Sequence, residues 1–246
     1  MKNKNLTLNV AHLYPTLLNM YGDLGNILAI KKRCEWRNIN INIIPVELGN
    51  NIDINIYDLY FLGGGQDQQQ IIVANELQKH KALLQKACDN NKVFLAICGG
   101  YQLLGHYYQP QNTDKIKGIS ILDAYTIASK NRLIGNVTSE CTFLTPKTLV
   151  GFENHSGLTY LKGETKPLAK VQTGQGNNGK DKTEGARYKN VFGTYLHGSF
   201  LPKNPHFTDY LIKLALENKY NKEIHLSQLD DTFELNAHNS VLNKKY

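Results

Sequence analysis

Phe94-Leu95-Ala96-Ile97-Cys98-Gly99-Gly100 is the stretch on which the reading of this chain turns. An apolar run ends at a cysteine and glycines follow at once, as where a buried strand stops and a helix opens. Ala96 lies two residues before Cys98 and Gly100 two after it. That small-x-nucleophile-x-small spacing is the pattern of a nucleophile elbow. The reason for it is steric: the turn holds the nucleophile's backbone in a strained conformation, and bulky neighbours would clash. The side chain is then lifted above the carboxyl edge of a sheet. The next helix places its N-terminus beneath the sulfur, which favours thiolate. A cysteine that merely fills a core needs no such glycines.

Working outward, Lys92 to Ile97 and Tyr57 to Leu62 read as buried strands, and Asp67 to Asn90 between them has helical periodicity through Ile71, Ile72, Leu77, Leu83 and Leu84. Gly99 to His106 begins another helix. Upstream, Leu6 to Leu13 and the asparagine–isoleucine alternation of Ile39 to Val46 read as strands. Asp23 stands where a helix N-cap would, ahead of a segment reaching about Arg37. Strands alternating with crossover helices predict an α/β fold with a central, mostly parallel sheet flanked by helices. The second half is richer in strands, at Ile119 to Ala128, Arg132 to Phe143, Leu149 to Asn154, Leu168 to Gln172 and Val191 to Leu196. Thr173 to Lys189, rich in Gly, Asn and Lys, reads as a mobile hairpin loop. Asn204 to Lys219 is a closing helix, and the stretch from Leu226 is too weakly patterned to assign. With 246 residues, 41% hydrophobic, the chain suits one domain spanning 1–246.

The net charge of +7 is spread thinly, with Lys31-Lys32-Arg33 and Lys244-Lys245 the densest basic stretches. A solvated basic surface is expected rather than a nucleic-acid partner. None of the four cysteines, Cys34, Cys88, Cys98 and Cys141, forms a C-x-x-C pair, so no metal site or redox pair is signalled. Met1 to Asn5 is polar and no apolar h-region follows, so no secretory signal is expected. No run approaches the ~18 apolar residues of a membrane span. A cytoplasmic, reducing location is expected, which keeps a reactive thiol available.

Two further segments belong with Cys98. Gly63-Gly64-Gly65, at the end of an apolar strand, can turn backbone N–H groups toward a neighbouring strand's tip, where Gly65 and Gly99 together would stabilise an oxyanion. No Lys-Ser/Thr follows, as a phosphate-binding P-loop requires. In Gly193-Thr194-Tyr195-Leu196-His197-Gly198, a histidine at a late strand's end can meet a cysteine at a central strand's end. His197 is therefore the expected base, with His155 the runner-up.

Ala96 to Gly105 resembles the nucleophile motif of class I, triad-type glutamine amidotransferases. Gly193 to Gly198 resembles the G-T-Y-L-H-G motif of their cobyric acid synthase-like branch, which Gly151 to His155 with Gly157 and Thr159 also fits. Tyr21-Gly22-Asp23-Leu24-Gly25-Asn26 and Arg132 to Asn136, in a free-standing chain, are similar to the glutaminase subunits of lipid II isoglutaminyl synthase. The resemblance implies that Cys98 attacks the carboxamide of L-glutamine to form a thioester. It implies that His197 moves the protons, Gly65 and Gly99 bind the oxyanion, Gln102 helps hold the substrate and Arg132 takes its α-carboxylate. It also implies a heterodimer with a Mur ligase-like (MurT-like) synthetase subunit that amidates lipid II. That partner would carry ATP and Mg, no cofactor being expected in this chain, and the lipid-linked acceptor would draw the pair to the inner membrane face.

One departure stands out. Many class I amidotransferases carry a glutamate two residues after the histidine, and Ser199 occupies that place here. The acid that orients His197 is expected from the partner, or else from a distant group such as Glu153 or a backbone carbonyl. Asp23 and Asn26 read as a helix cap. Two other functions stay open from the residues: a stand-alone cysteine hydrolase of a γ-glutamyl compound, and a subunit serving a different synthetase. A non-catalytic binding module would require the nucleophile or the base to be missing, and both are present.

Overall fold

The computed structural model describes residues 6–243; the stretches Met1 to Asn5 and Lys244-Lys245 lie outside them. In chain order the elements are β1 (Thr7–Leu13), α1 (Leu24–Glu35), β2 (Asn40–Val46), β3 (Leu59–Leu62), α2 (Asp67–Asp89), β4 (Val93–Ile97), α3 (Gly99–Leu104), β5 (Tyr107–Gln109), β6 (Ile116–Lys117), β7 (Ala124–Glu140) and β8 (Thr148–Leu161). They continue with β9 (Ala169–Thr173), β10 (Thr183–Glu184), β11 (Ala186–Tyr188), β12 (Val191–Thr194), α4 (Pro205–Tyr220) and α5 (Thr232–Leu242).

A six-stranded sheet runs in the order β11-β12-β4-β3-β1-β2, parallel throughout except for β11. Because side chains alternate along a strand, the apolar runs of β3 and β4 divide between two cores. Tyr60, Leu62, Phe94 and Ala96 join the α2 and α3 residues Val73, Leu77 and Leu103. Leu59, Phe61, Leu95 and Ile97 join the α1 and α4 residues Ile27, Ile30, Leu211 and Leu216. The central strands are thus buried on both faces, which is why their hydrophobicity is continuous rather than alternating.

The second half forms a sheet of its own, β10-β9-β7-β5-β6, with β8 paired antiparallel to β7 from Ala124↔Leu161 to Glu140↔Thr148. Two expected strands, Ile119 to Ala128 and Arg132 to Phe143, prove to be largely one. The polar Ser129-Lys130-Asn131 that reads as a break is an irregularity in register between Ala128 and Leu133. Ile119 to Leu122 is not strand, since its amides bond instead to the Leu103, Leu104 and Gly105 carbonyls at the end of α3. β8 runs on past Asn154, the expected end, to Leu161.

Thr173 to Lys189 is not a loose hairpin. Asn177 and Asn178 are buried, with Asn177 Nδ2 donating to the Gly185 carbonyl and Asn178 Nδ2 to the Thr159 carbonyl. Glu184 is buried too and accepts from Thr194 Oγ1 and the Tyr195 amide. The C-terminal stretch contributes α5. Its start is held by Arg33, which pairs with Asp209 and with Asp231, and its second turn by His238, which bonds Thr148 Oγ1 and the Lys203 carbonyl. No helix among the described residues is long and apolar enough to cross a membrane.

Candidate active site

Cys98 sits between β4 and α3 with φ +49° and ψ −104°, outside the regions that residues bearing a Cβ ordinarily occupy. Its amide donates to the Thr194 carbonyl at 2.8 Å, and the Gly100 amide donates to the Gly63 carbonyl at 3.1 Å. A Cβ at Gly100 would come within 2.7 Å of the Leu62 side chain and 2.8 Å of the Gly63 carbonyl oxygen. The small residue two past the cysteine is thus a packing requirement, as its spacing implies.

Gly63-Gly64-Gly65 follows β3 and lies alongside this turn. A Cβ on Gly99 would stand 2.9 Å from the Gly65 nitrogen, so the two amides expected to bind an oxyanion lie side by side. Gly64 is wedged among the Cys98, His197 and Asp23 side chains. A Cβ there would be 3.2 Å from His197 Cε1, 3.3 Å from Asp23 Oδ2 and 3.5 Å from Cys98 Cβ.

His197 follows β12, which runs parallel to β4, so the two residues emerge at neighbouring strand ends. It is buried, and its backbone pairs with Phe152 of β8, tying the two sheets together beside the nucleophile. Burial pushes the imidazolium pKa down. The Cys98 thiolate and the Asp23 carboxylate more than offset this, raising it to about 10. His155, the other candidate base, stacks on the Tyr195 ring at 3.6 Å and its Nδ1 meets the Gly157 carbonyl at 2.7 Å. It lines the cavity over Cys98.

The acid facing His197 is one the sequence reading passed over. Asp23, expected as a helix cap, makes no side-chain capping bond. Instead Oδ1 lies 3.9 Å from His197 Nδ1, and Oδ2 accepts the Gly64 amide at 2.5 Å. Asn26, likewise expected as part of the cap, donates to Asp23 Oδ1 at 3.4 Å and accepts the Leu201 amide at 2.8 Å. Ser199 turns away from the imidazole and donates to the Gly22 carbonyl at 2.7 Å, with Gly25 leaving it room. Gly22, Asp23, Gly25 and Asn26 are therefore a brace for the loop after His197. The glycines either side of Asp23 are the one signal in the sequence that its surroundings are crowded. Glu153 is not in this position: its two oxygens accept the Gln175 and Gly176 amides.

A cavity of about 510 Å³ opens over Cys98, lined by Gln102 and Gln70 on one side and by Arg132, Asn154 and His155 of the second sheet on the other. Gln102, one turn past Cys98, donates to Tyr195 Oη at 3.2 Å, and Gly157 lies close against its amide. Arg132 issues from the irregularity in β7. Its Nε and Nη2 donate to Asn154 Oδ1 at 3.0 and 2.9 Å, and Nη2 donates to the Asn154 carbonyl as well at 3.0 Å, which holds the guanidinium in place. Those residues include no group of three or more His, Cys, Asp or Glu side chains arranged to hold a metal ion. All six expected site residues thus gather around one cavity or its oxyanion corner.

A strained cysteine at a strand–helix elbow, a buried histidine on the neighbouring parallel strand and an amide pair beside the sulfur define a nucleophile-elbow cysteine amidohydrolase. Residues 9–205 match the model of the CobB/CobQ-like glutamine amidotransferase domain, and the chain belongs to that family. It is 43% identical over 212 residues to the lipid II isoglutaminyl synthase (glutamine-hydrolyzing) subunit GatD of Staphylococcus aureus, covering 86% of each chain. To the GatD of Streptococcus pneumoniae it is 42% identical over 225 residues, covering 91% of this chain and 86% of that one. Its fold matches a chain in the PurLQS structure from Thermotoga maritima, with a TM-score of 0.59 at 16% identity over 87% of this chain and 96% of that one.

Proposed function

We propose that this chain is the glutaminase subunit of a lipid II isoglutaminyl synthase, a single amidotransferase domain that releases ammonia from L-glutamine for a partner. The observation that carries the reading is Cys98, strained and part-exposed at the floor of a cavity, with its side chain beside a buried His197. The identity with two GatD subunits over most of their length supports the acceptor. The partner is a Mur ligase-like synthetase of the MurT kind, forming a heterodimer, holding ATP and Mg and presenting the stem-peptide glutamate of lipid II. The pair works in the cytoplasm, drawn to the inner membrane face by that lipid-linked acceptor.

The geometry lends itself to a thioester route. The Cys98 thiolate attacks the carboxamide carbon, and the C=O becomes an oxyanion held by the Gly65 and Gly99 amides, each donor worth about 10²–10³ in rate. His197, carrying the thiol's proton, gives it to the amide nitrogen. The C–N bond breaks, ammonia leaves and a glutamyl thioester remains. Neutral His197 then takes a proton from water, hydroxide attacks, the C–S bond breaks, and glutamate departs from a restored thiolate. Arg132, held by Asn154, takes the α-carboxylate through charge-assisted hydrogen bonds from its guanidinium. Gln102 helps hold the substrate from the floor of the cavity.

The test is ammonia and glutamate release from glutamine by the purified chain, alone and with the candidate synthetase, against Cys98→Ala and His197→Ala. Glutamine turnover lost in both variants, with amidated lipid II appearing only when the synthetase is present, supports the reading. Turnover of a γ-glutamyl compound but not of glutamine overturns it.

A further inference from the structure

Resting on the glutamine reading, we propose that Asp67 forms an α-ammonium subsite across the cavity from Arg132, so that the pocket reads both charges of an amino-acid head. Among the described residues lining that cavity, Asp67 is the one carboxylate and Arg132 the one permanent cation. Asp67 follows Gly65 by two residues, so it lies just past the oxyanion corner. It belongs to α2, whereas Arg132 is in β7 of the second sheet. A glutamine with its carboxamide on Cys98 and its carboxylate on Arg132 has one charge left to satisfy, and it is positive.

The surroundings of Asp67 match an ammonium's needs. Tyr108, from β5, and Ser156, from β8, line the same cavity, and the Tyr108 side chain interacts with both Asp67 and Ser156. Three acceptors, a carboxylate, a phenol oxygen and a serine oxygen, thus line the cavity from three elements, and an ammonium has three N–H donors. Asp67 is exposed and forms no ion pair among the described residues, so its charge is not already spent on a lysine or arginine. A carboxylate in the first turn of α2 also favours the helix dipole. The dipole accounts for an acid at that position; it does not account for the hydroxyl pair beside it.

Two substrates and two variants form the experiment: glutamine and its desamino analogue glutaramate, assayed by ammonia release with wild type, Asp67→Asn and Tyr108→Phe. Losing a charge-assisted pair lowers kcat/KM by about 30-fold or more. Wild type is therefore expected to prefer glutamine over glutaramate by about that factor. In Asp67→Asn the preference collapses toward unity, chiefly through KM for glutamine. Tyr108→Phe, which keeps the ring and its packing, reduces the preference in the same direction and serves if Asp67→Asn folds poorly. If both variants keep the full preference, or lose activity on the two substrates by equal factors, Asp67 has no ammonium subsite. Failure of wild type to hydrolyse glutamine at all overturns instead the functional reading beneath it.

Discussion

Asp23 Oδ1 lies 3.9 Å from Nδ1 of His197, with both side chains buried, although 174 positions separate them in the chain. The same carboxylate accepts the Gly64 amide through its other oxygen. One side chain therefore steadies the imidazole and fixes the loop whose next amide, that of Gly65, faces the nucleophile. The carboxylate expected from a partner, or from Glu153, has an occupant from within the chain.

That arrangement makes Asp23→Asn a sharp probe. Disabling the acid of a serine triad costs about 10⁴-fold in kcat, and a thiol, which ionises more readily, feels the loss less. For the isolated chain we expect kcat for glutamine to fall about 10²–10³-fold. The pH profile is also expected to change. His197 is held up to about 10 by Cys98 and Asp23, so removing one of its two anions moves the alkaline limb toward neutrality. An unaltered limb and rate in Asp23→Asn, with a partner carboxylate essential instead, would contradict this account.

Thiol labelling separates Cys98 from its companions. Burial pushes the Cys34 and Cys141 thiols up to about 12 and Cys88 up to about 11. All three are buried, whereas Cys98 is part-exposed. The glutamine-analogue electrophile 6-diazo-5-oxo-norleucine should label Cys98 first, as read by peptide mapping. Modification of any other cysteine with Cys98 untouched sinks the nucleophile assignment.

Arg132→Ala is expected to cost about 2–4 kcal/mol in kcat/KM, or roughly 30- to 1000-fold. Arg132→Lys should recover only part of this, because an ammonium lacks the guanidinium's fixed fork of donors. Asn154→Ala, which frees the guanidinium without removing it, should fall between wild type and Arg132→Ala. Near-normal glutamine kinetics in Arg132→Ala would show that the carboxylate binds elsewhere.

Acid stability has a separate origin. His206, whose Nε2 meets the Thr148 carbonyl and whose ring faces His238, is lowered to about 4, chiefly by burial. The unfolded chain takes up this proton more readily than the folded one. The stability that neutral His206 confers is thus full above about pH 6.5 and is lost as pH falls toward 4. The loss amounts to no more than about 3 kcal/mol. Urea midpoints measured between pH 7 and 4 should fall less steeply in His206→Gln than in wild type; parallel slopes would remove His206 from the explanation.

The first sheet and the elbow at Cys98 were legible because each rests on local pattern. Buried apolar runs, an elbow's glycines and a histidine at a strand end all have steric causes that act within a few residues. The brace at Asp23 was not, because its meaning lies in contacts with Gly64, His197, Ser199 and Leu201, and nothing in a helix-start motif reports them. Cap chemistry and a buried carboxylate use the same residue type. The second sheet was misread where polarity stood for disorder. Ser129-Lys130-Asn131 keeps its strand through a register irregularity, and Asn177 and Asn178 are polar because they bond buried carbonyls, not because they are solvated.

Cys98 belongs to one sheet and Arg132 to the other, and the Phe152–His197 pairing fastens the two beside the cavity. With the carboxylate seated on Arg132 as proposed, the gap between Cys98 and the guanidinium is a gauge of side-chain length, set by how two sheets are riveted rather than by any single residue. Asparagine, one methylene shorter, cannot span the same jaws with both ends seated. A shift of about 1 Å at this seam is enough to cost about 10²-fold in rate. Selectivity for length here is architectural, and substitutions at the rivet, far from either charge, would recalibrate it.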